Sequence, residues 1–394
     1  MARETSQRIL LIIVISQFLG TSLWFAGNAV LADMAKELQL EVSFLGHLTS
    51  AVQLGFIVGT LVYAVLTIAD RFSPSKVFFL SALLAAGFNL AMTIEGLTNV
   101  QLLLFRIATG FFLAGIYPVG MKIASDHFQK GLGKSLGFLV GALVLGTAFP
   151  HLIKGLSTDL PWKYVIYTTS ALALLGGILI LTLVPNGPYR RQSQKLALTA
   201  FFKVFKNKPF RASAFGYFGH MWELYAFWAF VPVAIQFYLS QTAQEANASL
   251  LSFLVIGIGG VSCAIGGLLS KHYPPKQIAT VALALSGICC LLSPFVLWQS
   301  SFSTLLAFML IWGMAVTADS PMFSTLVAQY APETNRGTAL TIVNCLGFSI
   351  TILSIQLLNL LSYSIATPYL FLVLALGPVI GLNFFRKINR HVAK

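Results

Sequence analysis

Twelve apolar runs divide this 394-residue chain, at roughly 8–32, 44–69, 77–95, 99–123, 134–155, 163–184, 210–238, 248–270, 277–298, 302–329, 338–361 and 367–385. Each is close to or above the length of about 20 residues that crosses the hydrocarbon core of a bilayer as a helix. Hydrophobic residues make up 57% of the chain and charged residues 9%, with a mean hydropathy of +0.82. Soluble domains carry roughly 25% charge, so a water-soluble globular protein is excluded. In lipid the backbone must satisfy its own hydrogen bonds, which leaves helices as the structure of such runs. The 32 glycines suit close helix packing. The first run lacks a convincing cleavage site and reads as a retained helix rather than a signal peptide. The fold class is therefore an all-α membrane protein with twelve transmembrane helices.

The net charge of +13 could point to nucleic acid, but its distribution points elsewhere. Of the 25 cations, 21 fall at the termini, in the gaps after even-numbered runs and in the central polar segment. Three (Lys36, Lys154, Lys163) fall in or beside the alternate gaps, and Arg106 lies inside a run. The positive-inside rule then puts both termini and the central loop in the cytoplasm of a bacterial-type inner membrane, with no nucleic acid partner. The polar segment 185–209 separates six runs in 1–184 from six in 210–394. A shift of 203 residues carries Gly110 onto Gly313 and Pro118 onto Pro321, and the turn at Asp70–Lys76 corresponds to that at Lys271–Lys276. Two pseudo-symmetric six-helix bundles in parallel orientation are the plan of a carrier that rocks around a central site. The four cysteines lie in apolar runs without ligand spacing and read as buried packing residues, so no metal or disulfide is expected.

These features resemble the major facilitator superfamily over nearly the whole chain. The turn with Asp70, Arg71 and Lys76 is similar to that family's loop-2/3 signature, with Leu66 and Pro74 where glycines are usual. Leu104-Phe105-Arg106-Ile107-Ala108-Thr109-Gly110 resembles its membrane-embedded arginine motif. Gly266-Gly267-Leu268-Leu269-Ser270-Lys271 resembles the second-half echo, with lysine replacing the usual acid. Ser22-Leu23-Trp24-Phe25-Ala26, Trp222-Glu223-Leu224-Tyr225 and Ala318-Asp319-Ser320-Pro321 resemble bacterial permeases of the cyanate and nitrate/nitrite-like branch. The nitrate carriers pair arginines in spans two and eight, where this chain has none. The Gly-Pro-x-x-Gly-Gly run of drug antiporters is also missing from span five. The resemblance implies a monomeric transporter with the Asp70, Arg71 and Lys76 turn as a conformational latch.

Ionisable side chains inside apolar spans are the sharpest remaining signal, because each costs about 2.5–3.5 kcal/mol at mid-helix on insertion scales. Arg106, Glu223 and Asp319 stand out. Arg106 offers a planar fork suited to a carboxylate-like anion. It reads equally as a substrate-binding cation or a structural partner of a backbone carbonyl. Glu223 follows His220 by one helical turn, and the two read as a proton-coupling pair or a static clamp. Asp319 precedes Ser320-Pro321, where the proline frees backbone carbonyls, and reads as a coupling group or a buried structural pair.

Gln17, Thr21, Trp24 and Asn28 form a polar stripe on one face of span one, expected to line a cavity. Tyr117, Tyr217, Phe227, Trp312 and Asn344 complete the substrate-binding candidates. No His-Glu-x-x-His, Gly-x-Ser-x-Gly or phosphate loop occurs, so neither an enzyme nor an ATP-driven pump is expected, and no cofactor. The leading expectation is a proton-coupled symporter of a small polar or anionic organic solute working by alternating access. An exporter of amphipathic compounds or metal chelates is the alternative, and a non-transporting receptor a third.

Overall fold

The computed structural model describes residues 2–41, 44–128, 132–156, 160–190, 204–242, 244–299, 301–331 and 336–392, with the side chains of 2–6, 132–134, 336 and 386–392 excepted. The basic stretch 191–203, and the side chains of Lys134, Arg336 and the tail, thus lie outside the described residues. Within them the chain forms helices and connecting turns, with no strand.

Twelve spans are traced. Span one is Ala2–Thr21 followed by the short helices Ala26–Ala29 and Leu31–Leu38. Spans two and three are Phe44–Val65 and Pro74–Ala91. Span four is Asn99–Leu113 continued by Tyr117–His127. Spans five and six are Leu132–Leu156 and Lys163–Leu183. In the second half, span seven is Lys208–Thr242, span eight Ala248–Leu269 and span nine Pro275–Gln299. Span ten is Phe302–Ala318 continued by Ser320–Tyr330, and span eleven is Arg336–Leu361. Span twelve runs from Thr367 to Val392 through a 3-10 turn at Phe371–Ala375.

Ten of these are long and apolar enough to cross a membrane. The other two depart from a uniform apolar helix for physical reasons. Span one is interrupted after Thr21, leaving a shorter apolar piece, Gln7–Thr21. Span seven is 35 residues long and carries His220, Glu223 and many aromatic rings of low hydropathy.

The chain divides into two compact units, Met1–Ser193 and Gln194–Lys394. Unit 1 packs span two on four, three on four and six, and one on five and six. Unit 2 repeats each pairing: eight on ten, nine on ten and twelve, and seven on eleven and twelve. The 203-residue shift holds at the level of atoms. A Cβ on Gly110 would run into the Val52 carbonyl oxygen, and one on Gly313 into that of Val255, the residue 203 positions further on. Backbone touches backbone there, which only glycine permits.

Span four breaks at Ala114–Ile116 and span ten at Asp319, each just before a proline at the start of the next helix. Proline at that position loses no helical hydrogen bond, so the break is tolerated.

Candidate functional site

In unit 1 the polar centre is built on the interruption of span one. Residues 22–25 leave the helix, and the Leu23 carbonyl there is reached from Ala26 N–H at 3.5 Å. Within an apolar bundle such groups need donors. Arg106, fully buried on span four, supplies them: its Nη1 donates to Leu23 O at 3.1 Å and its Nη2 to Trp24 O. Nη1 also reaches Asn89 Oδ1 on span three at 3.5 Å, while Asn89 Nδ2 donates to Ser170 Oγ on span six at 2.9 Å. One guanidinium thereby ties span four to spans one and three, and Asn89 extends the tie to span six. Among the described residues its Nε has no hydrogen-bond partner.

The stripe on span one is buried along its length: Gln17, Thr21, Trp24 and Asn28. Thr21 returns its hydroxyl to Gln17 O at 2.8 Å, within its own helix. Asn28 Nδ2 donates to Thr49 Oγ1 of span two at 2.6 Å. Neither polar end of the Gln17 amide has a partner among the described residues, and the same holds for Gln53, one turn beyond Thr49. Gln53, Thr49 and Asn89 were missed in the sequence reading. An amide in an apolar run was the available signal for Gln53 and Asn89.

In unit 2 the centre is acidic. His220 Nδ1 lies 2.9 Å from Asp319 Oδ1, and His220 Nε2 lies 2.9 Å from Ser320 Oγ. Both ends of the imidazole are thus held at the break of span ten. Tyr217 and Phe323 flank the ring, with centroids 6.2 and 5.6 Å away. Glu223 turns elsewhere. It accepts Trp312 Nε1–H at 2.8 Å, Ser286 Oγ–H at 2.9 Å and Cys290 Sγ–H at 3.3 Å. His220, Glu223 and Asp319 are all buried.

The sequence spacing paired His220 with Glu223; the structure pairs His220 with Asp319 instead. Three residues along a helix leave side chains about 60° apart. That angle is enough to send one to span ten's break and the other between spans nine and ten. Trp312 and Phe227, read as substrate contacts, are fully buried with ring centroids 4.6 Å apart, and the Trp312 N–H is engaged by Glu223. Tyr117 and Asn344 are half-buried on spans four and eleven.

The turn after span two is tied differently from expectation. Asp70 pairs with Lys122 of span four at 2.8 Å, and Lys122 also reaches Asp126 at 3.4 Å. Arg190 donates to the carbonyls of Asp70 and Phe72 at 2.7 and 2.8 Å. Arg71 and Lys76 are exposed, and neither forms an ion pair among the described residues. Because span two packs along span four, the nearest cation to Asp70 comes from across the helix pair and not from the turn itself. At the other end of unit 1, Lys154 pairs with Asp33, and Lys163 lies 3.6 Å from Glu95.

Comparison with known proteins now places this architecture. Residues 10–355 match the model of the Major Facilitator Superfamily. The chain belongs to that family. Among curated relatives it is 27% identical over 360 residues to the 4-hydroxybenzoate transporter PcaK of Acinetobacter baylyi, covering 80% of this chain and 76% of PcaK. It is 24% identical over 236 residues to an uncharacterised transporter, YgaY, of Escherichia coli O157:H7, covering 57% of this chain. It spans less than two thirds of the length of YgaY, 58% in that strain and 43% in Escherichia coli K12. Its fold is similar to that of the proton:xylose symporter XylE, with TM-score 0.73 at 14% identity over 97% of this chain and 96% of XylE. It is similar also to that of the nucleoside transporter NupG, with TM-score 0.72 at 17% identity over 96% of this chain and 99% of NupG. At such identities these two likenesses speak for the fold alone.

Proposed function

We propose that this member of the Major Facilitator Superfamily is a proton-coupled secondary transporter of a small organic anion, working by alternating access. The observation that carries the reading is the buried His220–Asp319 pair at the break of span ten. A carboxylate and an imidazole enclosed in an apolar bundle are costly to keep for stability alone. They earn a place where their protons must be taken up and released. Asp319 is the primary proton carrier, His220 its partner, and Glu223 a second acidic site one turn away.

The anion class rests on two supports. Unit 1 carries the permanent charge of Arg106 and, on spans one and two, the buried amide groups of Gln17 and Gln53, which have no hydrogen-bond partner among the described residues. Relatives named as 4-hydroxybenzoate transporters suggest an aromatic carboxylate as the first solute to try. The Asp70–Lys122 pair, with Arg190 closing the turn, is the proposed latch. Both termini are placed in the cytoplasm of the inner membrane on the charge asymmetry, with the monomer as the working unit; a reporter fused after Lys394 tests the orientation.

The deciding experiment uses purified protein in liposomes with labelled 4-hydroxybenzoate and related carboxylates. Accumulation should follow an imposed pH gradient. Asp319→Asn should abolish that accumulation while retaining solute exchange, which needs no net proton movement. Gradient-driven accumulation unchanged in Asp319→Asn would refute the coupling role. Flux of amphipathic cations but of no carboxylate would replace the importer by the exporter reading.

A further inference from the structure

Spans seven, nine and ten meet at the carboxyl group of Glu223, and its three partners differ in what they can do. Trp312 Nε1 can only donate, and it reaches Oε1 at 2.8 Å. The Cys290 thiol reaches the same oxygen at 3.3 Å. The other oxygen, Oε2, has Ser286 Oγ at 2.9 Å. A hydroxyl donates one proton and can also accept. Ser286 Oγ has two acceptors in reach: Glu223 Oε2 and, one turn back in its own helix, the Leu283 carbonyl oxygen at 3.1 Å. Its single proton serves one of them at a time.

Both forms of the acid can be satisfied by this arrangement. With Glu223 ionised, Ser286 donates to Oε2 and three donors meet the carboxylate. With Glu223 neutral, a proton on Oε2 donates to Ser286 Oγ, and the serine proton turns to Leu283 O. Trp312 and Cys290 continue to donate to Oε1. Every donor has an acceptor in either form, and no heavy atom has to move. The forms differ by one proton, exchanged with water at Oε2, and otherwise only hydrogen bonds change. An acid fixed in one form would need no partner able to reverse its role.

The surroundings leave the charge of Glu223 free to change. Among the described residues no lysine or arginine pairs with it. The titratable groups nearby are Cys289 and Cys290 of span nine and Asp319 of span ten, the last paired with His220 on span seven. Spans eight, eleven and twelve have no Asp, Glu, His, Lys or Arg over residues 248–269, 337–361 and 367–385. Nor does the scaffold require an acid at this place. The 203-residue shift puts Gly20 and Thr109 where Glu223 and Trp312 stand, and Thr109 returns its hydroxyl to Phe105 O at 2.8 Å. We propose that Ser286 is a positioning residue for a proton on Glu223, its hydroxyl reversing between donor and acceptor so that the acid is charged or neutral in one fixed frame. Its use in coupling rests on the transport reading given above; the reversal itself does not.

The test is infrared difference spectroscopy of the full chain in lipid, between acidic and alkaline pH, with Glu223→Gln identifying the bands of Glu223. The wild type should show a carboxylic C=O stretch that is lost in Glu223→Gln and gives way to carboxylate bands as the pH rises. In Ser286→Ala the neutral acid has no acceptor for its proton, so this stretch should shift to higher wavenumber. Ser286→Thr, which keeps the hydroxyl, should bring it back. Ser286→Cys puts a poor acceptor in the same place and should shift the stretch in the same direction, which keeps the test open if the alanine variant does not fold. An unshifted stretch in the alanine and cysteine variants would overturn the proposal, as would a threonine variant shifted as far as alanine. So would the absence, at every pH at which the protein stays folded, of any carboxylic band that Glu223→Gln removes. All of these are read without a solute, so they stand apart from a failure of carboxylate uptake, which strikes the transport reading alone.

Discussion

The two units use one scaffold for opposite electrostatic ends. The 203-residue shift takes Gln17 to His220, Gly20 to Glu223, Ile116 to Asp319 and Gly120 to Phe323. In unit 1 these positions form a neutral junction. Ile116 lies against Gly20, with its Cγ2 2.8 Å from where a Cβ would sit, and Gln17 abuts Gly120. In unit 2 the same positions hold His220 against Asp319 and Phe323, with Glu223 beside them. Charge in unit 1 sits elsewhere, at Arg106, because span one is broken and the carbonyls at the break take it as a donor. Span seven is continuous through the equivalent region and has no such need, which leaves room for acids there. A guanidinium is always charged, whereas carboxylate and imidazole can exchange protons. The duplication thus places a guanidinium in one unit and a carboxylate–imidazole pair in the other.

That contrast can be broken by transplanting one junction onto the other. Ile116→Asp alone should cost about 4 kcal/mol, as an unpaired acid in a closed site. Adding Gln17→His should return about 1–2 kcal/mol, read as coupling in a double-mutant cycle of detergent-phase unfolding. Zero coupling would mean that the equivalence stops at the backbone.

Next in size is Arg106→Ala, which removes the guanidinium donors from the Leu23 and Trp24 carbonyls. A loss of about 3 kcal/mol is expected. Arg106→Lys should recover less than half, since a point ammonium cannot fork to two carbonyls. Full recovery would show that charge alone matters in unit 1.

Glu223→Gln keeps the shape and one acceptor oxygen, so about 1–2 kcal/mol should be lost. Ser286→Ala, removing one of three donors to that carboxylate, should cost about 1 kcal/mol by the same measurement. If the serine variant proves the more damaging of the two, Glu223 is not the hub of its cluster.

Much of the architecture was legible because lipid leaves few choices. Span limits, the six-plus-six division and the glycine and proline correspondences follow from hydropathy and from residues that alter the backbone itself. Arg106, Glu223 and Asp319 announced themselves by their expense. Their partners did not. Asp319 lies 99 residues from His220 in the chain, and nothing local tells a histidine which helix it will meet. Cys290 read as packing volume, yet its thiol is a donor to Glu223 as well as buried. The break in span one carries no proline or glycine at Leu23 or Trp24, so the need for Arg106 became visible only once the carbonyls were located. Nor does anything local mark Lys122 as the partner of Asp70, a pairing that depends on the packing of span two along span four.

The glycine contacts at Gly110 and Gly313 have a mechanical corollary. With main chain pressed on main chain, neither helix of the pair can roll about its long axis without its neighbour's carbonyl ridge standing in the way. Spans two and four behave as one stiff plank, and so do eight and ten. Within these two planks bending is left to the interruptions near Ile116 and Asp319, and the second of these is also where His220 meets Asp319.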